Sequence, residues 1–297
     1  MLLRRGVVWS CVILLACLSG FSTRATDDEA VGFLDNLFLE AGGGVKKPAG
    51  DQTTGFGSVG FNWGIPLTPS SDGIGLGVQV GGDFSLRRDD DEWNATAGLF
   101  GRNLKVGDEQ LAGAVLADYQ HTTLRNDLWS VRPILGMTVG AKDEVGLEGV
   151  IGINRQSSTR FDGIAVTTVR QETPDSAEAF YNHYWNEKLA TELAAGYQFS
   201  GINEVLFRGQ IVYGITPAID MAVGGEVNGD GNYSCGGRVS FHFGGISRHD
   251  SLNNIYAWQK KDFYTPFPKR GAGSGGGGGL SSRPVFTSVI TGGGSGI

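Results

Sequence analysis

From residue 37 to residue 243 the chain keeps returning to one pattern, in which apolar residues alternate with small or polar ones. Ile74–Arg87 shows it most clearly. Ile74, Leu76, Val78, Val80, Gly82, Phe84 and Leu86 fall on one face, and Gly75, Gly77, Gln79, Gly81, Asp83, Ser85 and Arg87 on the other. Strand side chains point alternately to opposite faces, so this spacing predicts a strand. A helix would gather Leu76, Gln79, Val80 and Asp83 on one side, which is no buried stripe. Soluble strands usually run about 5–6 residues, whereas a tilted strand crossing a bilayer needs about 9–11. This run is long enough to cross.

The same alternation predicts strands over Leu37–Val45, Gly57–Ile65, Trp93–Leu104, Leu111–His121, Trp129–Val139 and Val145–Asn154. It returns over Leu189–Phe199, Val205–Thr216, Ala218–Asn228 and Tyr233–Phe243. Pro133 removes one ladder hydrogen bond and predicts an irregularity within its strand. Between Arg155 and Glu187 the pattern weakens, and Ile164–Arg170 and Ala177–Trp185 read as strands of uncertain facing. The chain thus holds thirteen candidate strands. Single-chain bacterial barrels have even strand numbers, so twelve are expected. Arg88-Asp89-Asp90-Asp91-Glu92 reads as a charged, solvated tip. The remaining connections are mostly shorter than about ten residues, in keeping with hairpin loops.

Which face is buried is settled by the rest of the chain. Met1–Ala25 has the form of a secretory signal peptide: Arg4 and Arg5, an apolar run Val7–Leu18, then Thr23-Arg24-Ala25. A rival cut lies at Leu14-Leu15-Ala16-Cys17, with Cys17 lipidated. No other segment is apolar for the ~20 residues a membrane helix needs, so a membrane-resident mature chain must be a closed barrel. Small residues such as the glycines of Ile74–Arg87 suit the crowded inside of a narrow barrel, with the apolar face turned to lipid.

Composition agrees. Forty-nine glycines and 40% hydrophobic residues describe neither a disordered chain nor a helix bundle. Removing residues 1–25 removes Arg4, Arg5 and Arg24 and no acid, taking the formal charge from −7 to −10. So acidic a chain does not suit nucleic acid. Cys11 and Cys17 lie in the leader, which leaves Cys235 alone and no disulfide framework.

On this architecture the segment Leu37–Phe243 resembles a bacterial outer-membrane β-barrel of the porin-like kind. The resemblance implies an all-β, antiparallel, up-and-down transmembrane barrel of about twelve strands, residing in the outer membrane among its lipids. It also implies that Tyr233–Phe243, through Phe241 and Phe243, engages the barrel-assembly machinery. Arg238 departs from that pattern, as does the chain continuing beyond the strand. Residues 26–36 read as a lead-in and residues 244–297 as a low-complexity, disordered tail. Within the tail, Ser251–Arg270 mixes aromatics with bases and Gly271–Gly279 reads as a flexible linker.

Candidate chemistry is sparse. His121, His183, His242 and His249 have no partner at metal-ligand spacing, and His-Glu-x-x-His and Cys-x-x-Cys are absent from the sequence. No enzyme, metal or cofactor is expected. The small-residue face carries charges instead: Glu40, Asp83, Asp118, Glu148, Glu192, Glu204, Asp220 and Glu226 against Arg87, Arg102, Arg132, Arg208 and Arg238. Inside a barrel such charges must be paired or wetted. They either knit the interior shut or line a wet path whose sign bias selects ions. Their acidic excess points to a narrow passive pore with weak cation preference. The alternatives are a non-conducting structural or adhesion barrel, and a secreted soluble β-domain.

Overall fold

The computed structural model describes residues 36–243, apart from short connections at 48–52, 68–74, 88–90, 107–108, 123–124, 141, 162–165, 174, 187, 200–203, 217 and 230, and also describes residues 283–290. Met1–Ala25, read above as a signal peptide, nearly all of residues 26–36 and Ser251–Arg270 lie outside the described residues.

Twelve antiparallel strands close into one barrel. In chain order they are β1 (Leu37–Lys47), β2 (Thr54–Pro66), β3 (Gly75–Arg87), β4 (Asp91–Val106), β5 (Glu109–His121), β6 (Asp127–Val139) and β7 (Asp143–Gly152). A two-stranded excursion follows, β8 (Arg155–Phe161) and β9 (Val166–Glu172). The barrel resumes with β10 (Ser176–Tyr184), β11 (Leu189–Gln198), β12 (Glu204–Thr216), β13 (Ile219–Asn228) and β14 (Tyr233–His242). β14 pairs with β1, from Phe38↔His242 to Lys47↔Tyr233, and this leaves the wall without an edge.

The sheet is inside-out relative to a soluble protein. Leu99, Val115, Leu147, Leu193, Phe207, Ile211 and Val223 are exposed on the outside, while Gln79, Ser85, Thr96 and Arg132 are sealed within. The soluble reading needs the apolar face inward and is excluded. Trp93, Trp129, Trp185 and Tyr213 are also exposed, each close to a strand end.

The thirteenth candidate is corrected. Ile164–Arg170 falls on β9, which pairs with β8 and with β15 (Arg283–Ile290) in a separate three-stranded sheet. The pattern gave no sign of β8, because Arg155–Phe161 is polar on both faces. The excursion also makes one connection far longer than expected. Glu92 is corrected as well: it belongs to β4 and is buried, not part of a solvated tip.

Closure depends on glycine where β1 meets β14. Gly43↔Gly237 and Gly44↔Gly236 are successive pairs. A Cβ on Gly236 would lie 2.6 Å from the Gly43 carbonyl oxygen and 3.2 Å from the Gly44 Cα, both backbone atoms that cannot swing aside. Gly231, in the turn between β13 and β14, has φ +74°, a left-handed conformation that favours glycine. At Gly43, Gly44, Gly236 and Gly237, the middle of the seam, the two strands meet with no side chain between them.

Two outcomes test this arrangement. Gly236→Val should abolish the compact, heat-modifiable form on unboiled gels, because the last strand cannot seat. Val223→Arg, on the outer face of mid-β13, should cost about 2–4 kcal/mol in urea unfolding from lipid vesicles. An equal loss in both lipid and a water-soluble state would contradict the facing.

Candidate functional site: the charged inner wall

The inner face is built by alternation. Each strand that sends an aliphatic residue to lipid sends its neighbour inward, so long polar side chains from adjacent strands meet inside. Asp118 on β5 accepts from Arg132 on β6, with Nε–Oδ2 at 2.7 Å and Nη2–Oδ1 at 3.1 Å, a two-toothed pair buried at both ends. Thr96 on β4 donates to the same carboxylate at 2.6 Å. Arg132 also lies 3.9 Å from Glu148 on β7.

The belt continues around the wall. Glu148 and Glu178 are directly opposite one another on β7 and β10. Two facing carboxylates repel. Arg208 on β12 resolves this: its Nε lies 3.4 Å from Glu178, and its Nη2 lies 3.5 Å from Glu148 and 4.0 Å from Glu192 on β11. Two guanidiniums thus hold four carboxylates across six neighbouring strands, β5, β6, β7, β10, β11 and β12. The forked, always-charged guanidinium suits this bridging better than an ammonium would.

Smaller clusters complete the lining. Lys46 lies 3.6 Å from Glu92, which also accepts from Gln120. Asn94 donates to Asp83 at 3.1 Å and Gln79 to Asn62 at 3.1 Å. His242 is 2.5 Å from Asp220, and Arg238 is 3.9 Å from Glu40. Asn182 donates to Glu144 and Gln210 to Glu192.

Of the residues singled out from the sequence, Asp83, Arg102, Asp118, Arg132, Glu148, Arg208, Asp220 and Glu226 are buried on the inner face. Glu192 and Arg238 are also inward but less enclosed. Arg87 closes β3, and its side chain lies outside the described residues. Lys46, Glu92, Glu144 and Glu178 are inner-face groups the sequence did not single out. Each sits at a strand end or in the weakly patterned stretch, where alternation gives no facing.

Two histidines face outward. His121 pairs with Asp127 at 2.7 Å beside Trp93, and His183 pairs with Asp143 at 2.7 Å beside Trp185. Tyr119 and Tyr181 donate to the same two carboxylates. Among the described residues no group of three or more His, Cys, Asp or Glu side chains could hold a metal ion.

A closed sheet with an aliphatic outside and a salt-bridged inside is a transmembrane β-barrel of the outer-membrane, porin-like type. Within that class the chain belongs to the family of unknown function DUF6666, whose model matches residues 39–239. Comparison with curated proteins finds no match. Among solved structures, the chain is similar to one from "Unveiling the Mechanism Behind the in-meso Crystallization of Membrane Proteins", at TM-score 0.53 and 11% identity, covering 84% of this chain and 100% of that one. That likeness concerns the fold alone. Looser likenesses join it to the KdgM porin, at TM-score 0.46 and 6% identity over 69% of this chain and 98% of that one, and to the COG4313 outer membrane channel from Pseudomonas putida F1. The channel is at TM-score 0.45 and 16% identity, covering 74% of this chain and 99% of that one. Neither bears on function.

The belt has a measurable consequence. Arg208→Ala leaves Glu148 facing Glu178 in a buried site, and removing one partner of a buried ion pair typically costs about 3–5 kcal/mol. Urea unfolding of the refolded barrel should show a loss of this size. The double change Arg208→Ala with Glu178→Gln should recover part of it. Independent, additive losses would mean that the arginine does not act by separating the two acids.

Proposed function

We propose that this protein is an outer-membrane barrel offering a narrow interior path with weak preference for cations. The observation that supports this reading is the sign of the inner wall. Among the described side chains, Glu40, Asp83, Glu92, Asp118, Glu144, Glu148, Glu178, Glu192, Glu204, Asp220 and Glu226 point inward, eleven acids, against five bases, Lys46, Arg102, Arg132, Arg208 and Arg238. The difference is six negative charges. Carboxylates around a narrow wet path attract cations and repel anions.

Export through the signal peptide, cut near Ala25, would deliver the chain to the envelope. The aromatics Phe241 and Phe243, whose rings meet edge-on at 5.1 Å at the end of β14, would present the insertion signal to the assembly machinery. Lipid would then cover the outer face.

A second reading, a non-conducting structural barrel, has its own support. Arg132, Leu116, Gln79 and Ser85 are 0% exposed, so water does not reach the inner wall at these positions. Conduction would then require the wall side chains to move.

Planar-bilayer recording of the refolded full chain separates the two. A small conductance with a reversal potential on the cation side is expected, and Asp220→Asn with Glu226→Gln should move it toward anions. A folded, membrane-inserted barrel that passes no current would establish the structural reading.

A further inference from the structure

Strand direction decides the rim at which each outward group sits. β5 ends and β6 begins at the rim from which the β8–β9 hairpin rises, while β10 ends and β7 begins at the opposite rim. The same arrangement stands on the outer face at both. At the hairpin rim, Tyr119 and His121 near the end of β5 both donate to Oδ1 of Asp127, the first residue of β6. The His121 Nδ1 is 2.7 Å from that oxygen, and the Trp93 ring stacks on the imidazole at 5.8 Å. At the opposite rim, Tyr181 and His183 near the end of β10 both donate to Oδ1 of Asp143, the first residue of β7, each at 2.7 Å. Trp185 meets that imidazole edge-on at 4.5 Å. In both clusters the histidine and the aspartate lie directly opposite one another across a strand pair. An exposed base precedes each aspartate in its hairpin turn, Arg125 in one and Lys142 in the other.

An aromatic girdle accounts for the tryptophans and tyrosines, whose half-polar rings settle at headgroup level. It does not account for a carboxylate, an imidazole and a base brought together twice on a face otherwise turned to lipid. The carboxylate has an orienting role. By accepting from Nδ1 it fixes the ring and leaves Nε2, on the far side, to carry the second proton. Because the tyrosine hydroxyl binds the same oxygen, the carboxylate is pinned on the Nδ1 side and does not screen Nε2. With the ring doubly protonated, each cluster holds two positive charges, imidazolium and turn base, against one aspartate. The surplus of one positive charge sits at a strand end, at the depth of the headgroups. The anion that a bilayer supplies there is phosphate, and an N–H carried by a cation makes its strongest bonds to such oxygens.

We propose that these two clusters bind the phosphate of membrane-lipid headgroups, one at each face of the bilayer. At the hairpin rim, His121 donates through Nε2 to a phosphate oxygen and Arg125 supplies the second cation. At the opposite rim, His183 and Lys142 take the same two parts. The lipid's acyl chains then lie along the aliphatic wall beside them, where Val115 and Val145 are exposed on β5 and β7. The proposal rests on the membrane-spanning reading and not on conduction, since a barrel that passes no current has the same outer face.

The test follows the refolded full chain by native mass spectrometry in non-ionic detergent. The probes are phosphatidylglycerol, a diacylglycerol of the same chains, and sodium phosphate. Two bound phosphatidylglycerol molecules are expected at concentrations where diacylglycerol leaves none. His121→Asn and His183→Asn each keep a donor for the aspartate but remove the charge and the outer nitrogen. Each should weaken one site about tenfold and lose one bound lipid, and the two together should lose both. Arg125→Gln and Lys142→Gln, on exposed turns outside the hydrogen-bonded clusters, should each weaken one site severalfold, and they decide the matter if the histidine variants do not refold. Equal binding of diacylglycerol, or lipid counts unchanged in the folded variants, would overturn the sites. Sodium phosphate binding in place of the lipid would overturn the lipid as their ligand. A chain that does not insert into phosphatidylglycerol vesicles would overturn the membrane-spanning reading itself, which an inserted chain with no phosphate preference leaves standing.

Discussion

Hydrocarbon offers backbone groups no hydrogen-bond partner, and the rest of this structure follows from that. A sheet in lipid must leave no edge, so β14 has to find β1 along their full length. The middle of the seam is backbone against backbone, with Gly43 opposite Gly237 and Gly44 opposite Gly236. Once closed, the sheet has two surfaces with opposite requirements. Valine and leucine go outward at no cost, and whatever goes inward must satisfy its neighbours in a confined space. The alternation in the sequence records that division.

The inner wall then faces an electrostatic problem of its own. Burying a carboxylate without a partner is expensive, and this wall buries many. The solution is lateral, since the partners come from nearby strands of the wall, adjacent for Asp118 and Arg132 and two or three strands apart for Arg208 with Glu178 and Glu148. Asp118, Arg132, Glu148, Arg208 and Glu178 lie on β5, β6, β7, β12 and β10, and the belt ties together the part of the barrel that the β8–β9 excursion interrupts. β7 and β10 are neighbours in the sheet although residues 153–175 separate them in the chain. Their hairpin is therefore long-range. The ion pairs that cross it add side-chain contacts to the junction where chain continuity contributes least.

How far the sequence could be read depends on whether one face is apolar. Where it is, as in β3, β12 and β13, the facing of Val78, Phe207 and Val223 follows from period alone, because a slip of one residue would bury every charge in lipid. Where neither face is apolar, as in Arg155–Phe161, nothing specifies facing, and β8 had no signature. Glu178 was missed for a related reason: its strand, Ser-Ala-Glu-Ala-Phe-Tyr-Asn-His-Tyr, carries aromatics and polar groups on both faces. The pairings were never legible. Arg208 and Glu148 are sixty residues apart, and only the strand order of the closed barrel brings them together. The even strand count worked as a constraint because it reflects closure; it set the number at twelve without saying which candidate was false, and only the strand pairing puts Ile164–Arg170 off the barrel.

The belt is also only half of what an ion would meet inside. Leu116, Leu128 and Val150, on three adjacent strands, are buried inward together with Leu206 and Phe56. Strand polarity puts Leu128, Val150, Leu206 and Phe56 toward the rim that carries the hairpin. Charged groups share these levels, since Leu116 pairs with Arg132 and the Lys46–Glu92 pair lies toward the same rim, so apolar and salt-bridged residues interleave along the wall. Apolar constrictions oppose ions through dewetting whatever their sign, whereas charged walls discriminate by sign. Eight strands would fill with side chains and sixteen would leave an open channel. At twelve, what fills the lumen falls to the side chains themselves, here carboxylates bridged by arginines together with a handful of leucines and their neighbours.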